Sequence, residues 1–252
     1  MSILKWAVIF LAVLSYTLAL GTQTPIENYP SVVQVEHYSG GFWLQQCVGS
    51  IVTKYHVLTA ASCLRIALRN YRVRAGSSVR GVGGFTTDIR HVIHHPSNNF
   101  RGDVGDIGLI RVRWELSLGP TIAQTHFMPE GFLLPHNVPL LIVGWGSTTG
   151  GTVINDNLYS LLLQTKKFDA CEKAYKTFPG TRPGNVSTHM ICTGLSTSGG
   201  RDFDAIDTGA PLFFGNTVVG VASFGVSKGN DEMPIVATEI SYYTGWIITT
   251  AV

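Results

Sequence analysis

Apolar residues along this chain fall into short runs of β-branched and aliphatic side chains, closed off by turn formers. Ser31–Glu36 (SVVQVE), Gly49–Thr53, Val57–Thr59, Arg72–Arg74, Ile107–Val112, Leu140–Val143 and Val218–Ser223 each read as a strand. Clusters rich in Gly, Ser, Thr and Asn at Gly81–Gly84, Ser97–Asn99, Thr148–Gly151 and Ser196–Gly200 separate them. Helical periodicity is confined to a short turn near Cys171–Tyr175 and to the end of the chain, Ser241–Thr249. There Tyr242, Trp246, Ile247 and Thr250 are expected to share one face. Many short strands with frequent turns predict an all-β barrel or sandwich. No repeat, low-complexity tract or charged linker interrupts the pattern.

The first residues differ in texture. Lys5 precedes a mostly apolar run from Trp6 to Leu20, and Ala19-Leu20-Gly21 places small residues where a signal peptidase reads. The run is short for a membrane span, which needs about 20 residues. Residues 1–21 are therefore expected to be a cleaved signal peptide, leaving 22–252 as a mature chain that is secreted and extracellular, with no membrane association. Removing Lys5 leaves 17 basic against 16 acidic residues, a net charge of +1.

Composition narrows the classes further. The 252 residues are 45% hydrophobic and 13% charged, which excludes a disordered polyelectrolyte or a long charged coiled coil. With no basic run beyond Lys166–Lys167, nucleic acid is not an expected partner. Four Cys in an exported chain point to disulfides, and spacing alone leaves three pairings open. One sequon, Asn185-Val186-Ser187, is a candidate for glycosylation at Asn185.

Several motifs occur in order. Cys47–Cys63 (CVGSIVTKYHVLTAASC) resembles the segment of trypsin-like serine proteases that ends in T-A-A-H-C. Asp106-Ile107-Gly108-Leu109-Ile110 is similar to their D-I-A-L-I, Val143–Gly146 to their G-W-G turn, and Met190-Ile191-Cys192 to their M-I-C strand. Ala205–Leu212 (AIDTGAPL) stands where G-D-S-G-G-P-L is expected, and Ser223-Phe224-Gly225 where S-W-G is. Coverage runs from about Ile26 to Val252, and the opening Ile26–Pro30 looks most like the digestive trypsins of moths and butterflies. The resemblance implies two six-stranded antiparallel β-barrels with a C-terminal helix, a boundary near 125–135, and an active-site cleft between the barrels. It also implies the pairs Cys47–Cys63 and Cys171–Cys192.

The chemistry departs from the family pattern at several points. In this family a His takes the proton from a Ser hydroxyl and a buried Asp orients that His. Here the His position is Ser62, the Ser position is Thr208, and only the Asp survives, as Asp106. An alcohol does not act as a general base near neutral pH. The Thr methyl stiffens χ1 and crowds the line of attack. Ile206 replaces the Gly whose NH forms the oxyanion hole. The activating Ile-Val-Gly-Gly terminus would fall on Leu18–Gly21, inside the signal peptide. Asp207, which that terminus pairs with in the family, is thus expected to be a relic whose carboxylate is protonated, re-paired or exposed, in a zymogen-like loop. At the substrate pocket Asp202 aligns with the residue that makes trypsins choose Lys and Arg. Beside it stand Phe203, Gly225 and Ile235, the last expected to fill the pocket where the family has Gly.

The family's third disulfide would join the positions of Asp204 and Lys228, which carry opposite charges here. Two readings stand: a salt bridge in place of the disulfide, or two side chains facing solvent. His56, His91, His94 and His95 are read as surface or turn residues rather than metal ligands or a substitute base. No metal and no cofactor is expected. The reading that follows is a secreted, catalytically inactive serine protease homologue that binds another protein: a protease, an inhibitor or a surface component. Two alternatives are an active trypsin-like endopeptidase using Thr208 with an unrecognised base, and a structural or abundant component of a secretory fluid.

Overall fold

The computed structural model describes residues 21–64, 68–98, 104–147, 155–177, 186–194, 207–225 and 233–252. Among the described residues fourteen strands follow in chain order: β1 Thr22–Gln23, β2 Val32–Ser39, β3 Phe42–Thr53, β4 His56–Thr59, β5 Tyr71–Ala75, β6 Phe85–His94 and β7 Gly108–Val112. Then come β8 His126–Phe127, β9 Pro139–Gly144, β10 Tyr159–Thr165, β11 Met190–Gly194, β12 Pro211–Phe214, β13 Thr217–Phe224 and β14 Ile235–Glu239. Two α-helices are described, α1 Phe168–Thr177 and α2 Ile240–Thr250.

The strands close into two antiparallel barrels of six. The first runs β2-β3-β4-β7-β6-β5 and back to β2. The second runs β9-β10-β11-β14-β13-β12 and returns to β9. The N-terminal β1 crosses to the second barrel and pairs with β10, and β8 pairs parallel with β13. The expected two-barrel fold is thus the observed one. Closure leaves neither barrel with a bare edge in its ring, which is why short strands suffice.

Val32, Val33, Val35, Val48, Ile51, Val57, Leu58, Leu109 and Ile110 are buried on the strands of the first barrel, and Leu140, Val143, Leu212, Val219, Val221 and Val236 on those of the second. Trp145 is fully buried, and its indole NH donates to the Ser78 carbonyl at 3.0 Å. That bond ties the turn after β9 to the loop after β5. The disulfides are Cys47–Cys63 and Cys171–Cys192, the pairing the resemblance implies. The first fixes the 3₁₀ turn Ala61–Cys63 against β3, and the second pins α1 to β11. Each contributes about 3 kcal/mol by restricting the unfolded chain.

Two expectations need correction. The buried stripe of α2 is Ile240, Tyr243, Thr244 and Ile247, spaced i, i+3, i+4, i+7. That register turns Tyr242 outward, 53% exposed and stacked on His189 at 3.5 Å between ring centroids. The helix starts at Ile240, directly out of β14. His56 is likewise not a surface residue. It is buried on β4, opposite Arg111, with Nδ1 2.9 Å from the Thr53 hydroxyl.

Candidate functional site

Asp106 sits between the barrels, 1% exposed, just before β7. From the first-barrel side the Ser62 backbone NH donates to Oδ1 at 2.7 Å and the Ser62 hydroxyl to Oδ2 at 2.9 Å. From the second-barrel side the Ser223 hydroxyl donates to Oδ2, and Thr238 Oγ1 donates to the Asp106 carbonyl at 3.0 Å. A carboxylate withdrawn from water is costly unless donors replace the lost hydration. Here they come from both barrels, so Asp106 joins them as well as facing Ser62.

The 3₁₀ turn that carries Ser62 is set by the Cys63 NH donating to the Ala60 carbonyl at 3.2 Å and by the adjacent disulfide. With its hydroxyl proton directed at Asp106, Ser62 is a donor in this network. An alcohol cannot take up and hold a second proton near neutral pH.

Thr208 lies on the loop before β12 and is held by its backbone: the Val48 NH donates to its carbonyl at 2.9 Å. Its own hydroxyl forms no hydrogen bond with any described residue. Next to it Gly209 has φ +85°, its NH donates to the Ala222 carbonyl at 2.7 Å, and a Cβ there would overlap the Val48 carbonyl. Only glycine accommodates both the left-handed backbone and that approach. Asp207, half-buried, accepts from the Gly146 NH at 2.9 Å. A Cβ on Gly146 would overlap the Asp207 carboxylate, so the Gly-Trp-Gly turn is shaped around it. The Asp207 carboxyl thus has a backbone partner in the turn that follows β9.

Comparison with known proteins places this geometry in a family. The Trypsin family profile matches residues 20–247. The chain belongs to the trypsin family. It is 30% identical to the trypsin "alkaline C" of Manduca sexta over 90% of this chain and 88% of that protein. It is 31% identical to trypsin CFT-1 of Choristoneura fumiferana over the same shares. Against the clotting factor G beta subunit of Tachypleus tridentatus it is 32% identical over 80% of this chain and 69% of that protein.

Within this trypsin-family fold the structure brings Ser62 and Asp106 together and adds Ser223 and Thr238 to them. The last two were not singled out from sequence as partners of Asp106, although the Ser-Phe-Gly match at Ser223 carried the signal. Gly225 is half-buried just beyond β13. Ile235 is buried on β14, where its carbonyl accepts from Thr193 Oγ1 at 3.2 Å. Asn185, Asp202, Phe203, Asp204, Ile206 and Lys228 lie outside the described residues. Among the described residues no group of three His, Cys, Asp or Glu side chains gathers closely enough to hold a metal ion. No helix among them is long and apolar enough to cross a membrane.

Three histidines have pKa values held below the ordinary 6.5. Burial lowers His56, helped by the charge of Arg111. Burial also lowers His94, against the opposing charge of Asp106, and it lowers His95, whose ring packs edge-on against Tyr243 and Trp246. Because the folded values lie below the unfolded one, the unfolded chain takes up protons first as pH falls. The stability these groups contribute is therefore fully present above 6.5 and is lost as pH drops toward their folded values. The urea midpoint is expected to fall between about pH 7 and pH 5, with a shallower slope for His56→Gln. An unchanged slope in that variant would show that His56 titrates alike in both states.

Proposed function

We propose that this chain is an exported, non-catalytic member of the trypsin family that acts by binding another protein. The observation that carries the reading is the proton arrangement around Asp106: the residue facing it is an alcohol already donating to it, and the Thr208 hydroxyl meets no base among the described residues. A nucleophilic hydroxyl needs a base within about 3 Å to lose its proton. Loss of the base alone costs on the order of 10⁶-fold in a serine protease. The apolar leader at Trp6–Leu20 and the two disulfides support export, where thiols oxidise. Loops around an inert cleft on a rigid double barrel then serve as a recognition surface, toward a protease, an inhibitor or a surface component.

The test is hydrolysis of a broad peptide library by the purified chain beside Thr208→Ala prepared identically. Equal, background rates are expected from both. A wild-type rate that disappears in Thr208→Ala would establish a working nucleophile and overturn the reading.

A further inference from the structure

A cavity of about 200 Å³ opens between the segment that leads into β2, the inter-barrel segment and the β12–β13 hairpin. It shares no lining residue with the Asp106–Thr208 region. Its walls are fixed by main-chain bonds. The Val32 NH donates to the Tyr29 carbonyl at 2.9 Å, the Thr125 NH to the Ile51 carbonyl at 2.8 Å, and His126 pairs with Thr217 where β8 meets β13. A site held in this way is ordered before anything binds.

The lining chemistry is selective. No Asp, Glu, Lys or Arg contributes, so no permanently charged side chain faces an occupant. The half-buried Tyr29 ring, packed against the buried Phe213 ring at 5.4 Å between centroids, provides apolar surface. Around them stand Asn28, Gln124, His126 and Asn216. The last three side chains form no hydrogen bond with any described residue, and Asn28 spends only its amide NH₂, on Thr24 Oγ1 at 3.1 Å. A purely apolar occupant would strip water from these amides and give nothing back. An occupant with an apolar face and a rim of hydroxyls would pack on the Tyr29 ring and satisfy donors and acceptors together. The volume is below the ~300–1,000 Å³ of pockets for drug-sized ligands, which limits the occupant to about one ring.

We infer that this cavity is a binding site for a neutral sugar residue, a second recognition site independent of the cleft. Saturation-transfer NMR and calorimetric titration of the full secreted chain with glucose, galactose, mannose and N-acetylglucosamine test it. Saturable binding of at least one sugar is expected, with a dissociation constant of about 1 mM. The double variant Gln124→Ala/Asn216→Ala should weaken it at least about tenfold, the loss of two hydrogen-bonding amides, with an unchanged thermal transition. Thr208→Ala should bind as the wild type does, which separates this site from the cleft. An array presenting the same sugars at the ends of glycans distinguishes the source: binding there assigns a glycan terminus, and binding confined to the titration assigns a free sugar. No saturable binding of any of the four, or binding untouched by the double variant, would overturn the inference.

Discussion

Restoring three residues together, Ser62→His, Thr208→Ser and Ile206→Gly, is expected to raise peptide hydrolysis at least about 10²-fold above the wild-type chain, the lower end of what a positioned general base supplies. Each reversion alone should leave the rate at background. The members of a triad act as a unit, and removing one costs nearly as much as removing all. The fold still presents the anchor such a base needs. Asp106 is buried and held from both barrels, and its Oδ2 already accepts from the side chain at position 62. An imidazole there would donate its ring NH to the same carboxylate and leave the other nitrogen for the hydroxyl at 208. Steady-state rates on the peptide library, with Thr208→Ala as the blank, measure the gain. A triple variant no faster than wild type would mean that the cleft has lost more than its proton chemistry.

The largest effect on stability is expected from Glu36→Ala. Glu36 on β2 is fully buried and accepts from Arg72 Nε at 2.5 Å and Arg74 Nε at 2.6 Å, both on β5. Arg72 also lies over the Trp43 ring, 4.3 Å from its centroid. Removing the carboxylate leaves two guanidinium groups in or near a dry interior without their counter-charge, which costs about 3–5 kcal/mol. For a domain of this size that is a fall of roughly 6–20 °C in the thermal midpoint. Glu115→Ala provides the contrast. Its partner Lys54 is 53% exposed and Glu115 itself 43%, so solvent screens the pair and the change should stay within about 1 kcal/mol. Replacing Glu36, Arg72 and Arg74 together by apolar residues of similar volume should recover most of the loss, because no orphan charge then remains. If Glu36→Ala melted within a degree or two of the wild type, water must reach the pair and the interior assignment of the two arginines fails.

Local patterning went far on the strands and less far on what their polar residues do. SVVQVE reads as a strand, and its Val33 and Val35 are fully buried. Nothing in it shows that Gln34 and Glu36 are buried as well. Gln34 takes its hydrogen bonds from a distant loop, donating to the Val79 carbonyl and accepting from the Gly81 NH, and Glu36 takes its partners from β5. Both sets of partners lie more than thirty residues away, beyond the reach of any periodicity. The same limit explains His56, whose sequence neighbours say nothing of the sheet that covers it. It also explains the rotation of α2, where a stretch apolar on most sides offers several stripes and packing selects one.

The sequence by itself determined the family and the identities that break its catalytic pattern at Ser62 and Thr208, and through that family resemblance it implied the double barrel and the two disulfide pairs. Those rest on ordered local motifs and on residue chemistry, which neighbours in the chain do not alter: an alcohol is a poor base wherever it stands. The tertiary structure alone decided what surrounds Asp106, how Asp207 is satisfied, which polar groups go inside, and where a neutral pocket forms. Each of these depends on residues brought together from distant strands, and burial, not sequence position, sets the strength of a charge or a hydrogen bond.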